Sequence, residues 1–282
     1  MIKVWICGAN GQIGKALNKE INNLAYEVLN TDIDEVDITD VEAVIKYGEI
    51  NRPQVIINLA GMTDLEECEK DPTMAFKVNA LGPRNLSILC ETINAKIIHL
   101  SSDDVFDGAS YEPYNEFDDT HPISVYGKTK LSGEEYVKEF TNKHFIIRSS
   151  WVYGEDNYFI SEVIRRAKNK EDIKIAGNQY GTPTNAYDLA RFIISLIDTR
   201  EYGTYHATNQ GSCSRVEFTK MILKHNNLNT KIIMVHDEEA DLGNKRPTNT
   251  ILNNFLLDCL GTFTFPSWKD SLEAFFRGNY ND

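Results

Sequence analysis

The turn Gly8-Ala9-Asn10-Gly11-Gln12-Ile13-Gly14 lies between a strand-like Val4-Trp5-Ile6-Cys7 and a helix-like run from Gln12 to Asn22. Glycines at that spacing let the backbone pass close to a bulky anion. The helix that follows offers unpaired N–H groups and the positive end of its dipole. A strand, a glycine turn and a helix in this order hold a dinucleotide pyrophosphate at the edge of a parallel sheet. The spacing differs from Gly-x-Gly-x-x-Gly, so the match is one of mechanism. A tight turn that uses glycine for its backbone freedom would leave the same residues.

The rest of the first half repeats the alternation of short apolar runs with helix-length segments. A second strand closes through Val28-Leu29 at Thr31-Asp32, and Val55-Ile56-Ile57-Asn58-Leu59 is a third. Asp71-Pro72 starts a helix that runs through Cys90, with a capping carboxylate and a first-turn proline. Lys96 to Leu100 is a fourth strand, Tyr126 to Phe140 a helix, and Phe145-Ile146-Ile147-Arg148 a further strand. The pattern predicts an α/β fold, a Rossmann-type doubly wound parallel sheet. Beyond Trp151 it loosens into helices at Tyr158–Lys168, Tyr187–Ile197 and Val216–Lys224, a strand at Ile232–Val235, and a polar loop over Asp237–Asn249. We therefore expect a dinucleotide-binding domain over 1–150, rejoined by about 183–200. Residues 151–282 should form mainly a smaller mixed α/β substrate-binding region.

Chemistry concentrates after the fourth strand. Ser101-Ser102-Asp103-Asp104 follows it, and Tyr126-Gly127-Lys128-Thr129-Lys130 opens the next helix. Delivering hydride to a carbonyl carbon leaves an alkoxide that needs a proton donor in place. Tyr126 can donate, Lys130 on the same helix face can lower the phenol pKa by its charge, and Ser102 can fix the substrate oxygen. A surface Tyr–Lys pair and a turn-forming serine are the plain alternative. Asp32, at the end of the second strand, can accept hydrogen bonds from an adenosine ribose and would repel a 2′-phosphate. This favours NADH over NADPH, unless Asp32 only caps a turn.

A net charge of −13 over 282 residues argues against a nucleic-acid partner. It does not exclude an anionic substrate, for which Lys245-Arg246-Pro247 is the best cationic candidate. That pair could equally be a solvated surface feature. Five scattered cysteines without metal-type pairing fit a reducing compartment. No stretch approaches a membrane span, and the first apolar run is too brief for a signal peptide, so a cytoplasmic location is expected.

Over nearly its whole length the chain resembles the extended short-chain dehydrogenase/reductases, and within them the dTDP-4-dehydrorhamnose reductase family. The resemblance is carried by Gly8 to Gly14, Asn58-Leu59-Ala60-Gly61-Met62-Thr63 with Glu69, and Val78-Asn79-Ala80-x-Gly82-x-x-Asn85-Leu86. It continues through Val105-Phe106-Asp107-Gly108, Tyr126-Gly127 with Lys130, Arg148-Ser149-Ser150-Trp151-Val152-Tyr153-Gly154, Gln179-x-Gly181-x-Pro183-Thr184 and Arg246-Pro247. It implies reduction of the C4 ketone of a nucleotide-activated 6-deoxy-hexulose by NADH or NADPH, in a monomer or homodimer. Gly8, Gly11, Gln12, Ile13 and Gly14 would serve the cofactor phosphates, and Asp32 the ribose. Asp37 and Ile38 would meet the adenine, and Ala60, Gly61 and Met62 the middle of the cofactor. Tyr126 would donate the proton, Lys130 would also bond the nicotinamide ribose, and Ser102 stands where the family usually has threonine. Ser102, Asp103, Asp104, Trp151 and Arg246 would face the sugar nucleotide. Some relatives form metal-assisted dimers, but no ligand cluster in this sequence compels magnesium. Two departures put the identity of the sugar in question: Asp104 stands where the family has tyrosine, and Thr63-Asp64-Leu65-Glu66-Glu67-Cys68-Glu69 differs from the usual Thr-x-Val-Asp-x-Ala-Glu. A sibling reductase for another such sugar, or a non-catalytic dinucleotide-binding subunit, is the alternative.

Overall fold

The computed structural model describes residues 1–236, 239–240 and 246–278. Strands β1 (Ile2–Cys7), β2 (Tyr26–Thr31), β3 (Val55–Asn58), β4 (Lys96–Ser102), β5 (His144–Ser149) and β10 (Gly203–His206) form a parallel sheet in the order β10-β5-β4-β3-β1-β2. Val4 pairs with Val28 on one side and Val55 on the other. The chain leaves β1 for β2 at the edge and returns past it to β3. The crevice opened by that reversal lies at the carboxyl ends of β1 and β3, where Gly8 and Ala60 follow.

Because side chains alternate across a strand, β1 sends Val4 and Ile6 to one face and Trp5 and Cys7 to the other. The first set packs with Ile57, Ile98 and Ile147 under α1 (Gln12–Glu20) and α8 (Ala186–Leu196). The second packs with Ile56, Ile97 and Ile146 under α2 (Val41–Asn51), α5 (Gly82–Ile93) and α6 (Val125–Phe140). With both faces covered, the central strands are apolar throughout rather than alternating.

Between β3 and β4 the chain also forms α3 (Leu65–Lys70) and α4 (Pro72–Phe76). The helix expected over 71–90 starts at its Asp71 cap, whose carboxylate accepts from Met74 N, but it does not run straight. A π-helical turn at Lys77–Leu81 separates α4 from α5. Pro83 has no N–H to give the Asn79 carbonyl four residues back, so the regular ladder breaks there. That carbonyl faces α6 instead, where a Cβ on Gly133 would stand 2.3 Å from it.

After β5 come β6 (Val152–Tyr153), α7 (Tyr158–Lys168), β7 (Ile173–Ala176), β8 (Tyr180–Gly181) and β9 (Thr184–Asn185). After β10 come β11 (Cys213–Ser214), α9 (Arg215–His225), β12 (Ile232–Val235), α10 (Phe255–Leu260) and α11 (Trp268–Arg277). A second core gathers here. Ile160 and Val163 of α7, Ile173 and Ile175 of β7, Phe218 and Ile222 of α9, and Trp268 and Leu272 of α11 pack together. Strand β12 pairs in parallel with β7. The loop expected over Asp237–Asn249 lies in part, including Lys245, outside the described residues.

Candidate active site

The glycine turn is built for close approach. Gly8 has φ +78°, and a Cβ there would stand 2.7 Å from Ala60 N; one on Gly14 would stand 2.5 Å from the Ala9 carbonyl oxygen. Larger residues would push the turn away from β3 or from its own helix. Gly11 has only the Gly8 carbonyl near it, and no side chain caps α1. The first-turn amides of Gln12, Ile13 and Gly14 therefore suit an anion. Asp32 lies beside this turn. Its Oδ2 accepts from Asn10 N at 3.0 Å and its Oδ1 from Ile33 N at 2.9 Å, so the carboxylate also ties β2 to the glycine loop. Asp37 accepts from Thr39 N, and the Ile38 side chain is buried against Gly82.

Asn79, in the π turn, fixes the segment Ala60-Gly61-Met62. Its Oδ1 accepts from Met62 N at 2.9 Å, and its Nδ2 donates to Met62 O at 2.9 Å and Thr129 Oγ1 at 3.1 Å. One buried amide thus joins the chain after β3 to α6. Ser124 caps α6 by accepting from Gly127 N, and Glu69 Oε1 accepts from Val125 N. These bonds set the first turn of the helix that carries Tyr126 and Lys130.

At the catalytic end Ser102 lies close enough to the Tyr126 phenol to lower its pKa. Ser102 Oγ donates to Asp103 Oδ1 at 3.0 Å and accepts from Asp104 N at 3.2 Å. Lys130 Nζ donates to the Leu100 carbonyl at 2.6 Å and lies beside Gly61. Burial pulls the Lys130 pKa down to about 8. The Tyr126 phenol is pushed up, first by burial and next by the Asp104 charge, while Ser102 and Arg246 pull it down. Lys130, expected to lower it, is not among these leading influences. Beneath the pair, Glu134 of α6 accepts from Ser101 Oγ and from Arg148 Nε and Nη2 at 2.9 and 2.8 Å. That buried network locks α6 to β4 and β5.

The substrate side holds unusual charge. Asp103 is buried, with Oδ2 accepting from Ser150 Oγ at 2.7 Å. Asp104 is fully buried; its Oδ2 meets Arg246 Nη1 at 3.0 Å, and its Oδ1 has no partner among the described residues. Burial raises its pKa to about 6, against the pull of Arg246. Trp151 sits in the left-handed region at φ 45°, and the guanidinium of Arg215 lies over its ring with Cζ 3.4 Å from the centroid.

Among the sequence candidates, Ser102, Tyr126, Lys130 and Gly61 lie together, with Asp103, Asp104 and Arg246 beside them. Arg246 is not a free surface cation but the partner of Asp104, while Lys245 lies outside the described residues. Arg215, Asn79 and Glu134 were not anticipated as site residues. A signal for Arg215 was present: an arginine in the first turn of a helix opposes the dipole. Among the described residues no group of three or more His, Cys, Asp or Glu could hold a metal, and no helix is long and apolar enough to cross a membrane.

The family described as RmlD substrate binding domain matches residues 2–280. A dTDP-4-dehydrorhamnose reductase from Clostridium acetobutylicum superposes with a TM-score of 0.94 at 38% identity, covering 98% of this chain and 99% of that one. The chain belongs to the dTDP-4-dehydrorhamnose reductase family. The Bacillus anthracis member, solved in complex with NADP, is 39% identical with the same TM-score of 0.94, over 98% of this chain and 99% of its own. The spore coat polysaccharide biosynthesis protein SpsK of Bacillus subtilis is 32% identical over 98% of both chains. As a member of this family the chain is an NAD(P)H-dependent oxidoreductase with a Rossmann-type fold.

Proposed function

We propose that this protein reduces the C4 ketone of dTDP-4-dehydro-L-rhamnose to give dTDP-L-rhamnose, a precursor for cell-surface polysaccharide. The observation that carries this reading is the placement of Ser102 beside the Tyr126 phenol at the carboxyl end of β4, with Lys130 one turn along α6. The cofactor, when bound, supplies the hydride. The amides opening α1 hold its pyrophosphate, and Lys130, beside Gly61, bonds the nicotinamide ribose. Asp37 and Ile38 border the adenine, and Ala60, Gly61 and Met62 the middle of the cofactor. Ser102 fixes the ketone oxygen, and Tyr126 delivers its proton to that oxygen as the alkoxide forms. A raised phenol pKa suits this direction, since it keeps the donor protonated at neutral pH. Residues 1–150 would serve mainly the cofactor and 151–282 mainly the substrate.

Asp32 biases the choice toward NADH, because its carboxylate faces the glycine loop and would repel a 2′-phosphate. Since the B. anthracis relative was solved with NADP, the two cofactors need direct comparison. Equal kcat/KM for both would end this part of the reading. A second reading is favoured by Asp104, a buried carboxylate at a family tyrosine position: the substrate is a sibling nucleotide-linked 4-keto-6-deoxy sugar. Both are tested by offering dTDP-4-dehydrorhamnose and related 4-keto sugars with each cofactor and following its absorbance. Turnover of none of them would refute the reductase reading.

A further inference from the structure

Arg215 opens α9 and is only 6% exposed. Its guanidinium lies on the Trp151 ring and also reaches Phe159, whose centroid is 4.9 Å from Cζ. Among the described residues its Nε has no hydrogen-bond partner. Asp103 and Asp104 act on it only through space, while burial and the like charge of Arg246 pull its pKa down to about 9. The carboxylates that could neutralise it are engaged elsewhere: Asp103 accepts from Ser102 and Ser150, and Asp104 pairs with Arg246 through Oδ2. Asp104 Oδ1 is unpartnered among the described residues, yet Arg215 does not take it. A cation–π contact offsets only part of what a desolvated, unpaired guanidinium costs. Such a group is retained where an anion completes it.

Position says which anion. Asp103, Asp104 and Arg246 are charged neighbours of both Tyr126 and Arg215, so Arg215 and the proton donor border the same charged cluster. In a hexose the reacting C4 sits across the ring from C1, which carries the nucleotide diphosphate. A guanidinium stacked on an aromatic face presents its N–H groups in plane, as a fork that fits two phosphate oxygens.

We propose that Arg215 is a substrate-binding residue that takes oxygens of the sugar nucleotide's diphosphate opposite Arg246, with Trp151 as the platform that fixes its plane. The proposal rests on the reading of this chain as a sugar-nucleotide reductase. It assigns to this arginine a role in binding and none in proton transfer.

The test compares the unmodified protein with Arg215→Met and Arg215→Lys. Calorimetry gives Kd for dTDP and for the reduced cofactor, and melting is followed without ligand. Arg215→Met should weaken dTDP at least tenfold and leave cofactor binding within twofold. Its unliganded melting temperature should be unchanged or higher, because a buried unpaired charge is gone. Arg215→Lys should recover little of the dTDP affinity, since an ammonium cannot form the fork. Unchanged dTDP affinity would overturn the proposal, even with a raised KM for the full substrate, because that would move the contact to the sugar. A lowered melting temperature with parallel loss of dTDP and cofactor would make Arg215 a structural residue. If the unmodified protein binds no dTDP, the reductase reading itself falls, and the proposal with it.

Discussion

In the reduction direction the phenol of Tyr126 must arrive carrying its proton. Its surroundings keep it there: burial and the nearby Asp104 carboxylate disfavour the phenolate. Tyr126→Phe should therefore lower kcat by about 10² to 10⁴, the range of general acid catalysis, while cofactor affinity and melting temperature stay put. Near-normal turnover in that variant would remove Tyr126 from the mechanism. Lys130 adds a pH dependence. Burial brings its pKa down to about 8, so the ammonium that would bond the cofactor ribose discharges as pH rises past that value. Cofactor affinity should fall through about pH 8, and Lys130→Met should flatten the profile; a profile unchanged by the substitution would sink the assignment. The effect on stability has the opposite sign. The unfolded lysine keeps its proton up to about 10.5, so between 8 and 10.5 the unfolded chain binds more protons and stability rises with pH.

Helices and strands set these side chains by a few joints, and Asn79 is the most exposed to test. Asn79→Ala would leave Met62 N and O without their amide partner and detach Thr129. Each unsatisfied buried group costs about 1–3 kcal/mol. Urea unfolding should show a loss of that order, with weakened cofactor binding because Gly61 and Met62 lose their hold; a stability change with unaltered cofactor Kd would confine Asn79 to the fold. The sequence announced much of this architecture. The strands β1, β3, β4 and β5 are buried on both faces and so are written as apolar runs, and α6 is bounded by Ser124 and Thr141. What stayed hidden depends on partners far along the chain. The π turn needs Gly133 of α6 to receive the Asn79 carbonyl. Helix α2 carries an interior Gly48, which local propensity counts against but which makes room for Leu89. The site was legible where motifs are local, as at Gly8–Gly14 and Tyr126–Lys130. Arg246 was legible as a substrate candidate, but its pairing with Asp104 and the stacking of Arg215 on Trp151 arise only through tertiary packing.

Across the whole molecule, the glycine turn and the Trp151–Arg215 pair stand on different cores, and a buried polar joint connects them. Asp188 belongs to α8, which packs on the sheet, and is 4% exposed. Its Oδ2 accepts from Asn209 Nδ2 at 2.8 Å and from Ser271 Oγ of α11, whose neighbours Trp268 and Leu272 lie in the second core. Asn185 reinforces the joint, with its N–H donating to Asn209 Oδ1 at 2.8 Å. The glycine turn and α1 do not depend on this carboxylate, since they rest on β1, β3 and α8 through apolar packing. Trp151 and Arg215 do depend on where the second core sits, because Trp151, Phe159 and Phe218 pack within it. Asp188→Ala should therefore cost about 1–3 kcal/mol for each buried donor it strands. It should raise KM for the sugar nucleotide several-fold while leaving cofactor Kd within twofold. Equal weakening of both ligands would show that α8 itself has shifted and that the joint serves the sheet rather than the placement of the substrate side.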